Sequence, residues 1–122
     1  MEPGVVIAHA LEVVAIADVG ALGEGAAEVF TPAERAYAES KSDPDRRLAA
    51  RLAAKRAAAR ALGGGLPLHE VEVLPGFGGP PLLRLSGEAA SRLRRLGGTR
   101  ALVSLTHGVS HAAAAVLVLG AG

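Results

Sequence analysis

Cysteine and tryptophan are absent from the 122 residues, and the aromatic side chains number one Tyr and two Phe. Without cysteine the chain can form no disulfide, no thiolate nucleophile and no cysteine-ligated zinc or iron–sulfur site. With so few aromatic rings, base stacking on single-stranded nucleic acid is nearly excluded. Thirteen basic against 12 acidic side chains give a formal charge of +1, so we expect no binding to nucleic acid or to an anionic membrane.

Long hydrophobic runs are also lacking. The run Val5–Ala17 is interrupted by His9 and Glu12 and is too short to span a bilayer. No basic region precedes it, so we expect no signal peptide. The run Ala112–Leu119 has the length of a buried strand. The sequence therefore predicts one cytoplasmic domain over residues 1–122, and the lack of cysteine suits that compartment.

Helix and strand signals alternate along the chain. Thr31-Pro32-Ala33-Glu34 combines an N-cap Thr, a Pro at N1 and an acid at N3, which is typical of a helix start. Gly63-Gly64-Gly65 ends the strongest helical segment, and alternation over His69–Leu74 indicates a half-buried strand. The predicted elements are a strand at Val5–Ile7, helices at Ala10–Leu22, Thr31–Ser40 and Arg46–Leu62, strands at His69–Leu74 and Leu82–Leu85, a helix at Glu88–Leu96, and a hairpin of Ala101–Thr106 with Ala112–Leu119.

This order, β-α-α-α-β-β-α-β-β, predicts an α+β domain in which a small mixed sheet packs with helices.

Four segments share their residue order and spacing with the motifs of one enzyme family. They are Val29–Tyr37 with F-T-P-A-E, Arg47–Leu66 with R-L-A-A-R-L-A-A-K-R-A and A-L-G-G-G, Val71–Gly87 with G-G-P-P and L-S-G, and Val103–His107 with V-S-L-T-H. The family patterns read R-x-A-x-R-F-A-A-K-E-A, A-L-G-T-G, N-G-K-P, L-S-G and V-S-I-S-H. The chain thus resembles the holo-acyl-carrier-protein synthase family of 4′-phosphopantetheinyl transferases from about Val5 to Leu119.

The resemblance implies the transfer of phosphopantetheine from coenzyme A (CoA) to a serine of an acyl carrier protein. In the family a divalent metal, usually Mg²⁺, lies on the pyrophosphate, where charge develops during phosphoryl transfer. Its carboxylate ligands come from G-x-D-x-x-E and from the Glu of A-A-K-E-A. Here His9 stands at the first position, with Glu12 three residues on, and Arg56 stands at the second. A rival alignment keeps Asp18 at the first position but requires a long deletion after it.

An imidazole and a guanidinium do not offer the hard oxygen ligands that Mg²⁺ prefers. We therefore predict no metal ligands, no required cofactor and no Mg²⁺-dependent transfer. Arg56 is instead interpreted as a replacement for the charge of the metal, clamping a phosphate. His9 is interpreted as an acid or base.

The resemblance also implies the remaining site residues. His107 joins His9 and Arg56 as a candidate catalytic residue, and five residues are candidate CoA contacts: Lys55, Gly63, Gly65, Ser86 and Gly87. Simpler roles stay open for each. Lys55 and Arg56 fit surface charges of a basic helix, and the glycines and Ser86 fit helix caps. His107 is also consistent with a hydrogen-bonded turn residue. His9 is also consistent with sequence drift to a small polar residue after loss of function.

Two classes of function follow. In the first, the chain is a repurposed enzyme acting on an acyl group tethered to a carrier protein or to CoA, for example by dehydration, cyclisation or isomerisation of a polyketide-like chain. In the second, it is a non-catalytic partner that binds carrier protein or CoA. An active phosphopantetheinyl transferase is a third possibility. The resemblance further implies a homotrimer with its clefts between subunits, and the apolar strands Ala101–Leu105 and Ala112–Leu119 supply surface for that association.

Overall fold

The fold was obtained as a computed structural model, which describes residues 4–121. The strands are β1 (Val5–Ala15), β2 (Val71–Leu74), β3 (Leu82–Leu85), β4 (Gly98–His107) and β5 (His111–Gly120). The helices are α1 (Ala17–Ala21), α2 (Ala26–Val29), α3 (Pro32–Glu39), α4 (Pro44–Ala61) and α5 (Gly87–Arg95), with short 3₁₀ turns at Gly23–Gly25 and Leu68–Glu70. The predicted α+β class is confirmed.

A three-stranded sheet with the order β1-β5-β4 forms one layer of the fold. Both neighbour pairs are antiparallel, and β1 pairs with β5 from Val5 opposite Gly120 to Ala15 opposite His111. Strands β2 and β3 form a separate antiparallel ribbon. The prediction that the sheet is mixed is therefore wrong for residues 4–121, because each of the three strand pairs described there is antiparallel.

Helix α4 packs on the inner face of the three-stranded sheet and is buried along most of its length. Its alanines other than Ala61 have almost no exposure, and together with Leu52 they pack against the inward-facing Ala10, Val14 and Val116 of the sheet. Because the alanine side chains are small, the helix lies close to the strands and the two surfaces pack tightly. The helix predicted at Arg46–Leu62 is confirmed.

The opposite face of the three-stranded sheet, here called the outer sheet face, is not covered by any described element. Side chains alternate along a strand, so the neighbours of the buried residues point to this side. Four large apolar side chains are exposed on it: Leu11 (60%), Val13 (62%), Leu102 (43%) and Leu117 (39%). No helix among residues 4–121 is long and apolar enough to cross a membrane.

The start of the chain differs most from the sequence expectation. A strand at Val5–Ile7 is present, but β1 continues to Ala15, and the helix predicted at Ala10–Leu22 is reduced to α1. The prediction was wrong because Ala and Leu favour helices locally, whereas pairing with β5 and the alternate burial of Ala10 and Val14 stabilise a strand. The long partner strand thus overrides local propensity.

Helix α2 was not predicted, and the remaining elements agree with the predictions to within a few residues. Helix α3 begins with the predicted capping box: Thr31 Oγ1 accepts from Glu34 N, and Thr31 N donates to Glu34 Oε1 at 2.8 Å. Strand β3 has the predicted bounds, and β4 and β5 form the predicted hairpin. Strand β2 is shorter than the predicted His69–Leu74, because a 3₁₀ turn takes up its first residues.

Candidate functional site

A cavity of about 260 Å³ lies where α3, α4, the β2–β3 loop and the end of β4 meet. Helix α3 contributes Tyr37 and α4 contributes Arg47 and Arg51. The opposite wall is formed by residues of the 75–81 loop, and His107 lies at the end of β4. The cavity therefore combines two guanidinium groups, one imidazole and one phenol, a set suited to an anionic ligand.

Arg51 is the central charged group of this cavity. Its side chain is 4% exposed, its guanidinium carbon lies 4.2 Å from the centroid of the Tyr37 ring, and its Nη1 donates to the carbonyl oxygen of Arg47 at 3.3 Å. Burial lowers the pKa of Arg51, although nearby Tyr37 and Glu34 act in the opposite direction. Its Nε has no hydrogen-bond partner among the described residues. An unpaired buried donor is costly, and the arginine that carries it lines the cavity.

His107 is the one predicted catalytic residue that lines this cavity. Its strand partner is Ala112, which is buried on the inner sheet face, and paired residues point to the same face of a sheet. His107 therefore projects towards the helix layer at the edge of the sheet, while its ring remains accessible. This placement is compatible with a ligand contact and does not by itself assign a catalytic role.

His9 lies on the other side of the sheet. It is exposed, and its strand partner is Leu117 of the outer sheet face, whereas its neighbour Ala10 is buried on the inner face. Within one chain His9 and His107 consequently point to opposite faces. The expectation that they converge with Arg56 is not met inside a single subunit.

Arg56 is half-buried on α4, and its side chain makes no hydrogen bond or ion pair with another residue in the range 4–121. Five residues of an α-helix amount to about 140° beyond one full turn, so Arg56 is directed well away from Arg51 and its cavity. One turn further, Arg60 donates to the carbonyl oxygen of Leu11 and pairs with Glu12 at 3.1 Å. Arg56 thus lies on the side of α4 that is directed towards β1.

Lys55 requires a correction. Its side chain is fully buried, where its Nζ lies 2.7 Å from Glu34 Oε1 and donates to the carbonyl oxygen of Val71 at 2.6 Å. Burial lowers the pKa of Lys55, and Glu34 counteracts that effect. An ammonium held in this way can neither contact a ligand phosphate nor extend to the surface. Its role in the structure is to connect α3, α4 and β2.

The predicted glycines of the 63–65 turn are helix-terminating residues. Gly63 and Gly65 have φ values of 104° and 70°, which L side chains rarely adopt. Arg92 Nη1 donates to the carbonyl oxygens of Leu62 and Gly64 at 2.8 and 3.0 Å, so it satisfies the end of α4. The structure therefore supports the capping role of these glycines.

The predicted phosphate site at Ser86 and Gly87 is also occupied by the protein itself. Ser86 precedes α5 but makes no side-chain capping bond. The carboxylate of Glu70 accepts from Ala89 N at 3.1 Å, and a Cβ on Gly87 would lie 2.3 Å from its Oε2. A carboxylate thus already neutralises the positive end of α5, which corrects the expectation of a phosphate contact there.

The donor chemistry at His9 and Arg56 does not fit Mg²⁺. The two positions offer one imidazole and one guanidinium, and Arg60 already pairs with the carboxylate of Glu12. Within residues 4–121, no three His, Asp or Glu side chains lie close enough together to hold a metal ion. Asp18, the rival candidate, is exposed in α1 rather than in the strand that carries His9.

Sequence reasoning missed Arg51, Tyr37 and Arg47 as site residues. All three belong to the motif segments, but only spacing could have indicated their contact: Arg47 and Arg51 are one helical turn apart, and Tyr37 precedes them on the previous helix. Which of the many arginines on α4 lies beside a cavity depends on the packing of α3 against α4.

Comparison with known proteins identifies the class to which this fold and cavity correspond. The model of the 4′-phosphopantetheinyl transferase superfamily matches residues 11–115, and the chain belongs to that superfamily. Among curated relatives, the holo-[acyl-carrier-protein] synthase of Anaeromyxobacter dehalogenans (strain 2CP-C) is 45% identical over 97 residues, covering 79% of this chain and 76% of the relative. That of Shewanella loihica is 40% identical over 121 residues, covering 88% and 91%.

Solved structures agree with the family relationship. The acyl carrier protein synthase of Mycobacterium tuberculosis has a TM-score of 0.75 and 31% identity, covering 97% of this chain and all of that chain. An ACPS–CoA complex from Chronobacterium ammoniagenes has a TM-score of 0.79 and 28% identity, covering 93% and 96%. The holo-[acyl-carrier-protein] synthase of Neisseria meningitidis, at a TM-score of 0.83 and 21% identity, supports the fold.

Proposed function

We propose that this protein binds CoA, with the nucleotide end of the ligand in the cavity beside Arg51, and transfers its phosphopantetheine to a carrier-protein serine. The observation that carries the proposal is a cavity that is lined by the two arginines Arg47 and Arg51 together with His107. The 3′-phosphate and diphosphate of CoA supply acceptors of the required charge. Relatives named as holo-acyl-carrier-protein synthases, one of them solved with CoA, support this choice of ligand.

The cavity is arranged for phosphate oxygens rather than for a neutral ligand. The Tyr37 ring and the carbonyl oxygen of Arg47 hold the Arg51 guanidinium in one orientation, which reduces the entropy lost when it binds. A guanidinium can donate two parallel hydrogen bonds to a phosphate. Burial strengthens that interaction because water competes with it less.

In the proposed transfer, a serine oxygen forms a bond to the phosphorus that carries the pantetheine. The bond from that phosphorus to the oxygen of 3′,5′-ADP breaks, and the serine proton leaves. Arg51 and Arg47 hold the negative charge that accumulates on the 5′-phosphate oxygens of the leaving 3′,5′-ADP. His107 contributes the imidazole that lines the cavity, and we assign to it either a phosphate contact or the removal of the serine proton.

A second candidate is favoured by the residues at the metal positions. His9 and Arg56 stand where the family has carboxylates, so the chain could retain CoA or carrier-protein binding without metal-dependent transfer. In that case it acts on an acyl group tethered to phosphopantetheine, in polyketide-like biosynthesis, or serves as a binding partner only. His9 would then require a second subunit to reach a ligand in the cavity, since it lies on the outer sheet face.

The quaternary state belongs to the same proposal. A homotrimer would cover the apolar outer sheet face and would bring His9 of one subunit towards residues of another. The proposed partners are an acyl carrier protein and CoA, and the proposed compartment is the cytoplasm.

Calorimetry with CoA, together with mass spectrometry of an apo carrier protein, tests the proposal. We expect CoA to bind, and Arg51→Lys to weaken binding at least tenfold because it removes the planar guanidinium fork. Arg35→Lys, the same substitution at an exposed position, serves as the matched control. Conversion of the carrier protein to its holo form supports transfer, and a parallel reaction with chelator shows whether a metal is needed. Binding without conversion favours the second candidate, and absence of CoA binding overturns both.

A further inference from the structure

Phe77 is exposed in a chain that has few aromatic side chains. Of the three, Phe30 is buried in the core at 1% exposure and Tyr37 lies beneath the Arg51 guanidinium. Phe77 has 103% exposure, which means that its ring packs on nothing in the described structure. A large apolar ring in water contributes nothing to the stability of the fold. Packing in the core therefore does not explain why a phenylalanine is found at this exposed position.

The loop that carries Phe77 forms one wall of the Arg51 cavity. Pro75, Gly76, Gly79 and Pro81 line that cavity, so Phe77 stands at its rim. The loop is narrow at its base, because a Cβ on Gly76 would lie 2.1 Å from the carbonyl oxygen of Pro80.

The tip of the loop has more freedom than its base. A Cβ on Gly78 or Gly79 would meet nothing within 4 Å, and Gly78 has φ of 73°, a value that glycine adopts at little cost. Rotation about these two glycines can therefore reposition the Phe77 ring relative to the cavity while the base of the loop keeps its contacts.

We propose that Phe77 packs on the adenine base of a nucleotide bound in this cavity and thereby selects the adenine nucleotide end of CoA. The inference rests on the proposed function, because the cations of the cavity bind the phosphates and leave the base without a partner. Tyr37 cannot serve, since the Arg51 guanidinium already covers its ring at 4.2 Å. Phe77 is the aromatic ring at the rim that is uncovered, and a flat base supplies the surface it lacks.

Affinities measured for three ligands test this role. CoA and 3′,5′-ADP contain the base, whereas 4′-phosphopantetheine has a phosphate but no base. We expect Phe77→Ala to weaken binding of CoA and 3′,5′-ADP by about 5- to 150-fold, the range for loss of one base–aromatic contact, and to leave the affinity for 4′-phosphopantetheine within twofold of that of the unchanged protein. Phe77→Trp should retain binding. Because the chain has no tryptophan, its fluorescence in this variant reports the residue alone and should be quenched by 3′,5′-ADP.

The matched control is Val109→Ala, which also truncates an almost fully exposed apolar side chain in a loop but does not line this cavity. Phe77→Ala should unfold at the temperature of the unchanged protein, since its ring contacts nothing. If the unchanged protein binds CoA and Phe77→Ala binds it equally well, the role of Phe77 is overturned while the proposed function stands. Equal weakening of all three ligands, or weakening of carrier-protein binding alone, also overturns it. If the unchanged protein binds none of the ligands, the proposed function fails as well.

Discussion

The Nζ of Lys55 lies 2.7 Å from Glu34 Oε1, and neither side chain has any exposed surface. The Glu34 carboxylate accepts two further hydrogen bonds, from the backbone nitrogens of Thr31 and Val73, each at 2.8 Å. Lys55 in turn donates to the carbonyl oxygen of Val71. This pair therefore connects α3, α4 and β2 through hydrogen bonds that are shielded from water.

Removing one partner of this pair should destabilise the fold strongly. We expect Lys55→Met to lower the free energy of unfolding by about 3–5 kcal/mol, because Glu34 is left buried and charged without its counterion. Urea denaturation followed by circular dichroism measures the loss. The other lysine, Lys41, is exposed, so Lys41→Met is the matched control and should change stability little. A loss below 1 kcal/mol for Lys55→Met would contradict the structural role.

Glu72 predicts a specific dependence of stability on pH. Its pKa is lowered because the Thr31 hydroxyl donates to its Oε2 at 2.5 Å and because Arg84 pairs with its Oε1, while burial acts in the opposite direction. A carboxyl whose pKa is lower in the folded state binds protons more readily when unfolded. Its contribution is therefore present above the ordinary glutamate pKa, about 4.3, and is lost as pH falls through the lower folded value.

Thermal unfolding between neutral and acidic pH tests this expectation. Glu72→Gln should flatten the acid limb of the stability curve relative to the unchanged protein, because the variant has no carboxyl to protonate at this position. Glu39→Gln, at an exposed position of α3, should leave the curve nearly unchanged. Curves of identical shape for Glu72→Gln and the unchanged protein would show that the Thr31–Glu72 contact does not hold the carboxylate in its charged form.

Arg56 and Arg51 should affect different parts of the ligand. If Arg56 takes the place of the charge of the metal, Arg56→Ala should weaken CoA binding by about 30-fold, which corresponds to roughly 2 kcal/mol of binding free energy. It should leave 3′,5′-ADP nearly unaffected, because Arg56 is directed away from the Arg51 cavity. Calorimetry with both ligands separates the two effects, and equal losses for both would contradict the assignment. His9→Ala should leave binding nearly intact and should remove any turnover.

Restoring the family residues tests the metal hypothesis from the opposite side. We expect His9→Asp combined with Arg56→Glu to give weak Mg²⁺ binding, with only partial recovery because the surrounding residues have also changed. Titration with Mg²⁺ in the presence of CoA measures it, and each single variant is the control. If the unchanged protein transfers phosphopantetheine only when Mg²⁺ is present, the hypothesis that His9 and Arg56 replace the ligands is wrong.

The sequence predicted the elements whose signals are local. The capping box at Thr31 and the glycines after α4 determine helix ends through contacts within a few residues, and both were correct. Residues Ala10–Ala15 were predicted to be helical but form a strand. The strand is stabilised by pairing with β5, about a hundred residues later, and the local sequence gives no sign of that pairing.

Prediction of the site failed for a similar reason. A motif gives the position of Lys55 along the chain but not its surroundings, and only the packing of α3 against α4 shows that Glu34 binds it. In the same way, the sequence could not show that Glu70 occupies the start of α5 or that Arg51 lines a cavity. Long-range contacts decide which of several charged side chains meets a ligand.

The outer sheet face provides the final prediction, which concerns assembly. Leu11, Val13 and Leu117 are exposed side by side on adjacent strands, and contiguous apolar surface of this kind is typical of an interface. The homotrimer expected from the family resemblance would bury it. Leu11→Glu should then lower the molecular mass measured by light scattering from that of a trimer to that of a monomer, because a charge in an apolar interface is costly.

The matched control is Leu82→Glu, which introduces the same charge at a similarly exposed leucine on β3, away from this sheet. It should leave the mass unchanged. Circular dichroism must show that Leu11→Glu keeps its fold, and Leu11→Ala should give an intermediate effect if the variant with Glu unfolds. Since His9 lies on the same face, loss of the trimer should also remove any activity that depends on His9 while leaving binding of 3′,5′-ADP in the Arg51 cavity nearly intact. A monomeric unchanged protein at micromolar concentration would refute the assembly and, with it, a site shared between subunits.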